Sequence, residues 1–225
     1  EGINPVTRCS SGGLAGVWAQ ENTRESLFDA LQRKETFATS GPRISVRFFA
    51  GWDFSDDSLR RSDVLQQAYA TGVPMGGELS SNDVGLRPGF LIMASKDPEG
   101  ANLDRAQIIK AWVDSQGVSH EKVYDIAAAD GRIIDAATGA LSPVGSTVDS
   151  SIATYQNSIG GSSIAVFWSD PDFNPALEAF YYLRVLEIPT PRWSTFDAVR
   201  LGIKPMQPES IQERAITSAI WYVPS

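Results

Sequence analysis

Along most of this chain the apolar residues fall at alternate positions or in short unbroken runs, as they do in β-strands. Ile44, Val46 and Phe48 alternate with Ser45 and Arg47, which predicts a half-buried strand. Residues 89–94, 107–113, 121–127, 153–158, 164–168, 180–187 and 216–223 carry further strand-length apolar patterns. Asp114-Ser115-Gln116-Gly117 between two of them reads as a hairpin turn with Gly117 in the left-handed conformation. Seven or eight such strands, separated by turn signals, predict a mainly β fold, a β-sandwich. The excursion over 53–88 holds a helix near 62–70 and a turn at Gly76-Gly77, and 128–150 reads as loop. A second short helix starts at Ser194-Thr195-Phe196-Asp197, a capping box, and ends at Gly202.

The first forty residues have another rhythm. Leu14-Ala15-Gly16-Val17-Trp18-Ala19 follows a glycine pair and reads as a short buried strand. In Asn22-Thr23-Arg24-Glu25, Asn22 caps a first-turn amide and Glu25 reaches back. Leu27, Phe28, Ala30 and Leu31 follow at helical spacing, an amphipathic helix ending near Lys34. A lone strand-helix unit cannot bury both its strand and its helix stripe, so it requires neighbours. The chain therefore divides into a strand-helix unit, residues 1–42, and a β-sandwich domain, residues 43–225. The opening Glu1-Gly2-Ile3-Asn4-Pro5, with neither Met nor signal peptide, reads as the edge of a piece of something longer.

Composition narrows the chemistry. The chain has one histidine, His120, and one cysteine, Cys9, so it can assemble few zinc or iron sites and few histidine-activated nucleophiles. Its 225 residues are 42% hydrophobic, enough for a sizeable core. Nineteen basic against 27 acidic residues, net −8, argue against a nucleic-acid or anionic-membrane surface. No apolar run reaches membrane-spanning length.

Several constellations compete with plainer readings. Asp170, Asp172 and Asn174 alternate as oxygen ligands do in calcium loops, but prolines restrict the loop and the usual Gly is missing, so a solvated turn is the simpler reading. Ser11-Gly12-Gly13-Leu14-Ala15-Gly16 lacks the Lys-Ser/Thr ending of a phosphate loop and precedes a strand. His120 reads as a hydrogen-bonded strand residue, Cys9 as an inert thiol, and Trp112, Trp168, Trp193 and Trp221 as core before they read as a ligand groove. Glu21, Asn22 and Arg24 are different: they sit where a strand meets a helix N-terminus, the place where α/β enzymes put working side chains. Capping by Asn22 and solvation of Arg24 is the equal alternative.

The same residues carry a resemblance. Gly12-Gly13-Leu14-Ala15-Gly16-Val17-Trp18-Ala19, Glu21-Asn22-Thr23-Arg24-Glu25, Thr39-Ser40-Gly41-Pro42-Arg43-Ile44, Val46-Arg47-Phe48-Phe49 and Gly72-Val73-Pro74-Met75-Gly76-Gly77 resemble a bacterial family known as domain of unknown function 3604. So do the run 96–105, Glu121-Lys122-Val123-Tyr124-Asp125, Asp170-Pro171-Asp172-Phe173, Glu187-Ile188-Pro189-Thr190-Pro191-Arg192-Trp193 and Ile220-Trp221-Tyr222. Gln20 stands where the family pattern has Glu, and Ala128-Ala129 where it has Trp-Ser.

Members of that family are similar to the polymerase-and-histidinol-phosphatase superfamily, in which His and carboxylates at barrel strand ends hold divalent metal ions that activate water. The resemblance implies that residues 1–42 end a distorted, truncated α/β barrel whose metal-binding half lies upstream, so this chain holds no metal or catalytic residue itself. The expected function is the C-terminal portion of an exported, periplasmic metal-dependent hydrolase of the phosphoesterase type, inactive alone, its β domain bracing the barrel and shaping its cleft. Glu21, Asn22, Arg24 and Thr39 are the expected cleft residues, Arg24 orienting an anionic oxygen and Thr39 bonding substrate or metal-bound water. The expected partners are the upstream barrel or a second copy covering Leu27, Phe28 and Leu31, with no nucleic acid and no membrane-spanning segment. The rival is a non-catalytic β-sandwich module that binds a glycan or partner protein.

Overall fold

The computed structural model describes residues 12–82 and 85–224, so Cys9, Ser11 and the first residues lie outside the described part. The fold is mainly β, with fourteen strands and three α-helices among the described residues. In chain order these are β1 (Leu14–Val17), α1 (Arg24–Gln32), β2 (Thr36–Thr39), β3 (Ser45–Gly51), α2 (Val64–Thr71), β4 (Gly72–Pro74) and β5 (Glu78–Ser80). Next come β6 (Gly89–Ser95), β7 (Leu103–Val113), β8 (Ser119–Ala128), β9 (Ser163–Ser169) and β10 (Ala179–Glu187). The chain finishes with β11 (Thr190–Pro191), α3 (Trp193–Leu201), β12 (Ser210–Ile211), β13 (Arg214–Thr217) and β14 (Ile220–Val223).

Two sheets make the sandwich. The smaller runs β4-β3-β6-β9, antiparallel throughout. The larger has eight strands centred on β10, which pairs along its full length with β7 and shares its other edge between β13 and β14. β8 extends the sheet beyond β7, β2 and β1 extend it beyond β13, and β5 adds in parallel to β14. Phe48, Phe90 and Ile92 from the small sheet meet Ile108, Tyr181, Leu183 and Tyr222 from the large one, all fully buried.

Burial explains each sequence pattern. β10 alternates buried and half-buried residues from end to end because one face is core and the other is open. β6 reads Gly-Phe-Leu-Ile-Met-Ala without a polar position because its outer face is covered as well. There Phe49 and Leu91 pack beneath α2 and the 3-10 turn Asp56–Arg60, with Ala68 and Phe54 closing that cluster. Gly117 is left-handed (φ 80) in the β7–β8 hairpin, and Gly202 (φ 63) ends α3, as expected.

Several expectations are corrected. β1 is an edge strand, and its first two residues are exposed. Thr23, not Asn22, caps α1: its hydroxyl accepts from Ser26 N–H at 3.3 Å. Arg192 is the α3 cap residue, so the box at Ser194 does not form. Residues 153–158 are not a strand, because Ala153 takes a positive φ of 51 in a turn that leaves only the bridge from Thr154 to Asp149. Residues 216–223 are two strands broken at Ser218-Ala219, whose backbones bond Thr36 and Gly76 instead. Residues 36–39, absent from the expected strands, join the first unit to the large sheet through β13.

Candidate functional site

A cleft of about 540 Å³ opens where β1 ends, lined by Trp18, Gln20, Arg33, Glu35, Arg47 and Tyr69. Its geometry starts in the turn between α1 and β2. Lys34 takes a positive φ of 58, which turns the chain so that Glu35 N–H donates back to Ala30 O at 3.1 Å. Glu35 O then accepts from Trp18 N–H at 3.1 Å, which fixes the end of β1 beside the turn. Gly76 (φ 86) packs against the same turn so closely that a Cβ there would lie 2.3 Å from Lys34 O.

The Glu35 side chain is buried, 4% exposed, and is surrounded by donors. Arg33 Nη2 lies 3.5 Å from Oε2, Arg47 Nη1 lies 3.6 Å from Oε1, and the Tyr69 hydroxyl donates to Oε1. Arg47 also donates to Tyr69 Oη at 2.7 Å, and its guanidinium stacks 3.4 Å above the Trp18 ring. Trp18 is held in turn by its indole N–H, which donates to Val46 O at 2.8 Å. Tyr69 sits edge-on to Phe49, and burial first, then its bond to Glu35, pushes its pKa up to about 12. It is therefore a hydroxyl donor at neutral pH and not a base.

Two guanidinium groups face one carboxylate, so the cleft keeps a surplus positive charge. Arg33, half exposed, has donors left for a ligand. This arrangement can receive an anionic oxygen, bidentate in the manner of arginine. It offers no activated nucleophile, and among the described residues no three His, Cys, Asp or Glu side chains gather as metal ligands.

The expected cleft residues distribute unevenly around this site. Glu21 and Asn22 are exposed on the turn that follows Gln20, Arg24 is exposed as the first residue of α1, and Glu21 N–H bonds Ser26 Oγ at 3.2 Å. Thr39 is buried, 7% exposed, at the far end of β2, roughly 10 Å along the strand from Thr36 at ~3.3 Å per residue. Its hydroxyl accepts from Gly41 N–H at 3.3 Å. Glu35, Arg47 and Tyr69 were missed. Arg47 had carried a signal, a cation inside an alternating strand.

The other constellations resolve into structure. Asp170 is fully buried and accepts from Lys110 Nζ at 2.6 Å and from Tyr181 Oη at 2.7 Å. Asp172 is bonded by Lys122 Nζ and by Tyr124 Oη at 2.7 Å, and those two bonds hold its carboxyl below the usual range. Lysine ammonium groups thus stand where the calcium reading would put a cation. His120 stacks on Trp112 at 5.1 Å with its Nε2 2.7 Å from Asp114 Oδ2, a strand residue with a partner, as expected. Trp168 packs on Phe90 at the core edge, whereas Trp221 is 48% exposed.

A family described as "Protein of unknown function (DUF3604)" matches residues 3–224 of the chain. No curated protein matches it.

Proposed function

The chain belongs to the DUF3604 family of proteins of unknown function, and on that premise we propose that it is the non-catalytic β-sandwich portion of a metal-dependent hydrolase. In this reading the parent is an exported bacterial enzyme of the phosphoesterase type, and the divalent ions and the water they activate belong to an upstream barrel. One observation carries the reading: among the described residues α1 leaves part of its apolar stripe open, Phe28 57% and Leu31 54% exposed beside half-buried Leu27. A helix of this amphipathic kind is stable when its stripe packs on a neighbour, and a barrel's outer helix layer is a matching surface.

The cleft beside α1 then forms one wall of the parent's substrate site. Arg33 and Arg47 supply positive charge for a phosphate-type oxygen, Glu35 and Tyr69 hold Arg47 in place, and Arg24 stands exposed at the start of α1. Among the described residues no helix is long and apolar enough to cross a membrane.

The test uses this chain and its parent. The chain alone, supplied with Mn²⁺, Zn²⁺ or Mg²⁺, should not hydrolyse bis(p-nitrophenyl) phosphate, and turnover at an enzyme-like rate overturns the proposal. In the parent, Phe28→Asp with Leu31→Asp should loosen the two halves, detected as faster proteolysis between them, with metal content unchanged. Undiminished activity and an unchanged cleavage pattern would also overturn it.

A further inference from the structure

A second cleft, of about 430 Å³, lies where the end of β7 and the starts of β8 and β10 meet β14. The strand register puts Trp221, Phe180, Ala111 and Glu121 side by side on one face of the large sheet, and there Phe180 leans on Trp221 at 4.9 Å. Small Ala111 leaves the groove between that aromatic pair and Glu121. Trp112 and His120 belong to the other face, where they stack on each other at 5.1 Å. Trp221 remains 48% exposed although it is a large indole on a strand.

The charges in this cleft have one sign. Glu121 and Glu178 line it, both exposed and with no ion pair among the described residues, and no Lys or Arg lines it. The Lys110 ammonium, 5.1 Å over the Trp112 ring, belongs to the other face and is held by Asp170 and by Asp172 O. Indole and phenyl faces are electron-rich, and two carboxylates at the rim add negative potential. A sugar needs several fixed donors and acceptors for its hydroxyls, and the remaining lining here is mostly Ala and Val.

We propose that this groove binds a small organic cation, an alkyl- or aryl-ammonium group whose charge rests between the Phe180–Trp221 pair and the two glutamates and whose apolar body lies against Phe180 and over Ala111. The site is independent of the α1 stripe and of any hydrolase activity.

The probe is benzyltrimethylammonium, titrated into the whole chain by calorimetry and by tryptophan fluorescence. Its neutral counterpart is benzyl alcohol, its anionic counterpart benzoate, and cellobiose represents the sugars. The cation should bind in the millimolar range or tighter and weaken as salt rises, while benzoate does not bind. Trp221→Ala should weaken it roughly three- to five-fold, the size of an exposed cation–π contact. Glu121→Gln with Glu178→Gln should weaken it by a similar factor and abolish the salt dependence. Both changes fall on exposed side chains, so folding, checked by circular dichroism, should be intact. Equal binding of benzyl alcohol, binding of cellobiose in preference to the cation, or indifference of the cation to both variants would each overturn the proposal.

Discussion

Glu187 ends β10 with 1% of its surface exposed, and its Oε1 has no hydrogen-bond partner. The residue before β13, Glu213, has an Oε2 that is also without one, and Glu213 O accepts from Glu187 N–H at 2.9 Å. Burial first, then the charges of Glu213 and Asp97, raise the Glu187 carboxyl from 4.5 to about 8, with Lys96 opposing weakly. The native state therefore holds this proton more tightly than the unfolded chain does. The associated stability is fully present below pH 4.5 and is lost as the pH rises through about 8. At about 1.4 kcal/mol per pH unit, the loss by pH 7 is about 3 kcal/mol, an upper bound for a group whose surroundings can relax. Glu187→Gln keeps the shape and removes the charge. Urea unfolding of both proteins from pH 5 to 8.5 should show the Gln variant gaining on the wild type at each step, by about 1.5–3 kcal/mol at pH 7. The single histidine is common to both proteins and drops out of the difference. Parallel stability curves, or a variant less stable at pH 8, would refute the idea that Glu187 is buried without compensation.

Asp170→Asn should destabilise the fold by about 3 kcal/mol or more in urea, because it leaves the Lys110 ammonium buried without its carboxylate. Lys110→Met combined with Asp170→Leu should recover much of that loss. Gly76→Ala meets both a left-handed φ and the Lys34 carbonyl 2.3 Å away; a cost of about 2 kcal/mol or more would lower Tm by roughly 4–8 °C in scanning calorimetry. Glu35→Gln should bring the Tyr69 ionisation down from about 12, while burial keeps it above its ordinary value of 10; ultraviolet titration against a Tyr69→Phe reference would measure it.

The legible parts of this fold were those in which burial is decided along one strand. β10 alternates through nine residues and β6 is apolar through most of seven, so either could be read alone. β4, β5, β11 and β12 have two or three residues each, too few for a period, and exist because a neighbour offers a free edge. The last apolar run reads as one strand because both halves serve the same edge of β10, and only the pairing of Ser218 and Ala219 elsewhere separates them. Glu21, Asn22, Arg24 and Thr39, singled out in the sequence, do not line the cleft at the end of β1. Its polar groups come from the α1–β2 turn, β3 and α2, and Glu35 and Tyr69 are 34 residues apart, a meeting set by the layering of α2 over β3.

Buried charge and exposed apolar surface are both unfavourable, so their placement in one domain carries information. Lys110 with Asp170 is a matched pair that ties β7 to the residue after β9, and it needs no ligand to be explained. Glu187 is different in that its buried carboxyl oxygen Oε1 has no hydrogen-bond partner, and the α1 stripe and Trp221 are different in that much of their apolar surface is exposed among the described residues. Local rules fail together where a fold has been shaped for something outside itself. A domain stabilised only for its own sake would replace Phe28 and Leu31 by polar residues at little expense in stability, since both side chains already face water. The exposure of Phe28 and Leu31 side by side on α1 is the physical reason to look for a partner there before looking for chemistry within the sandwich.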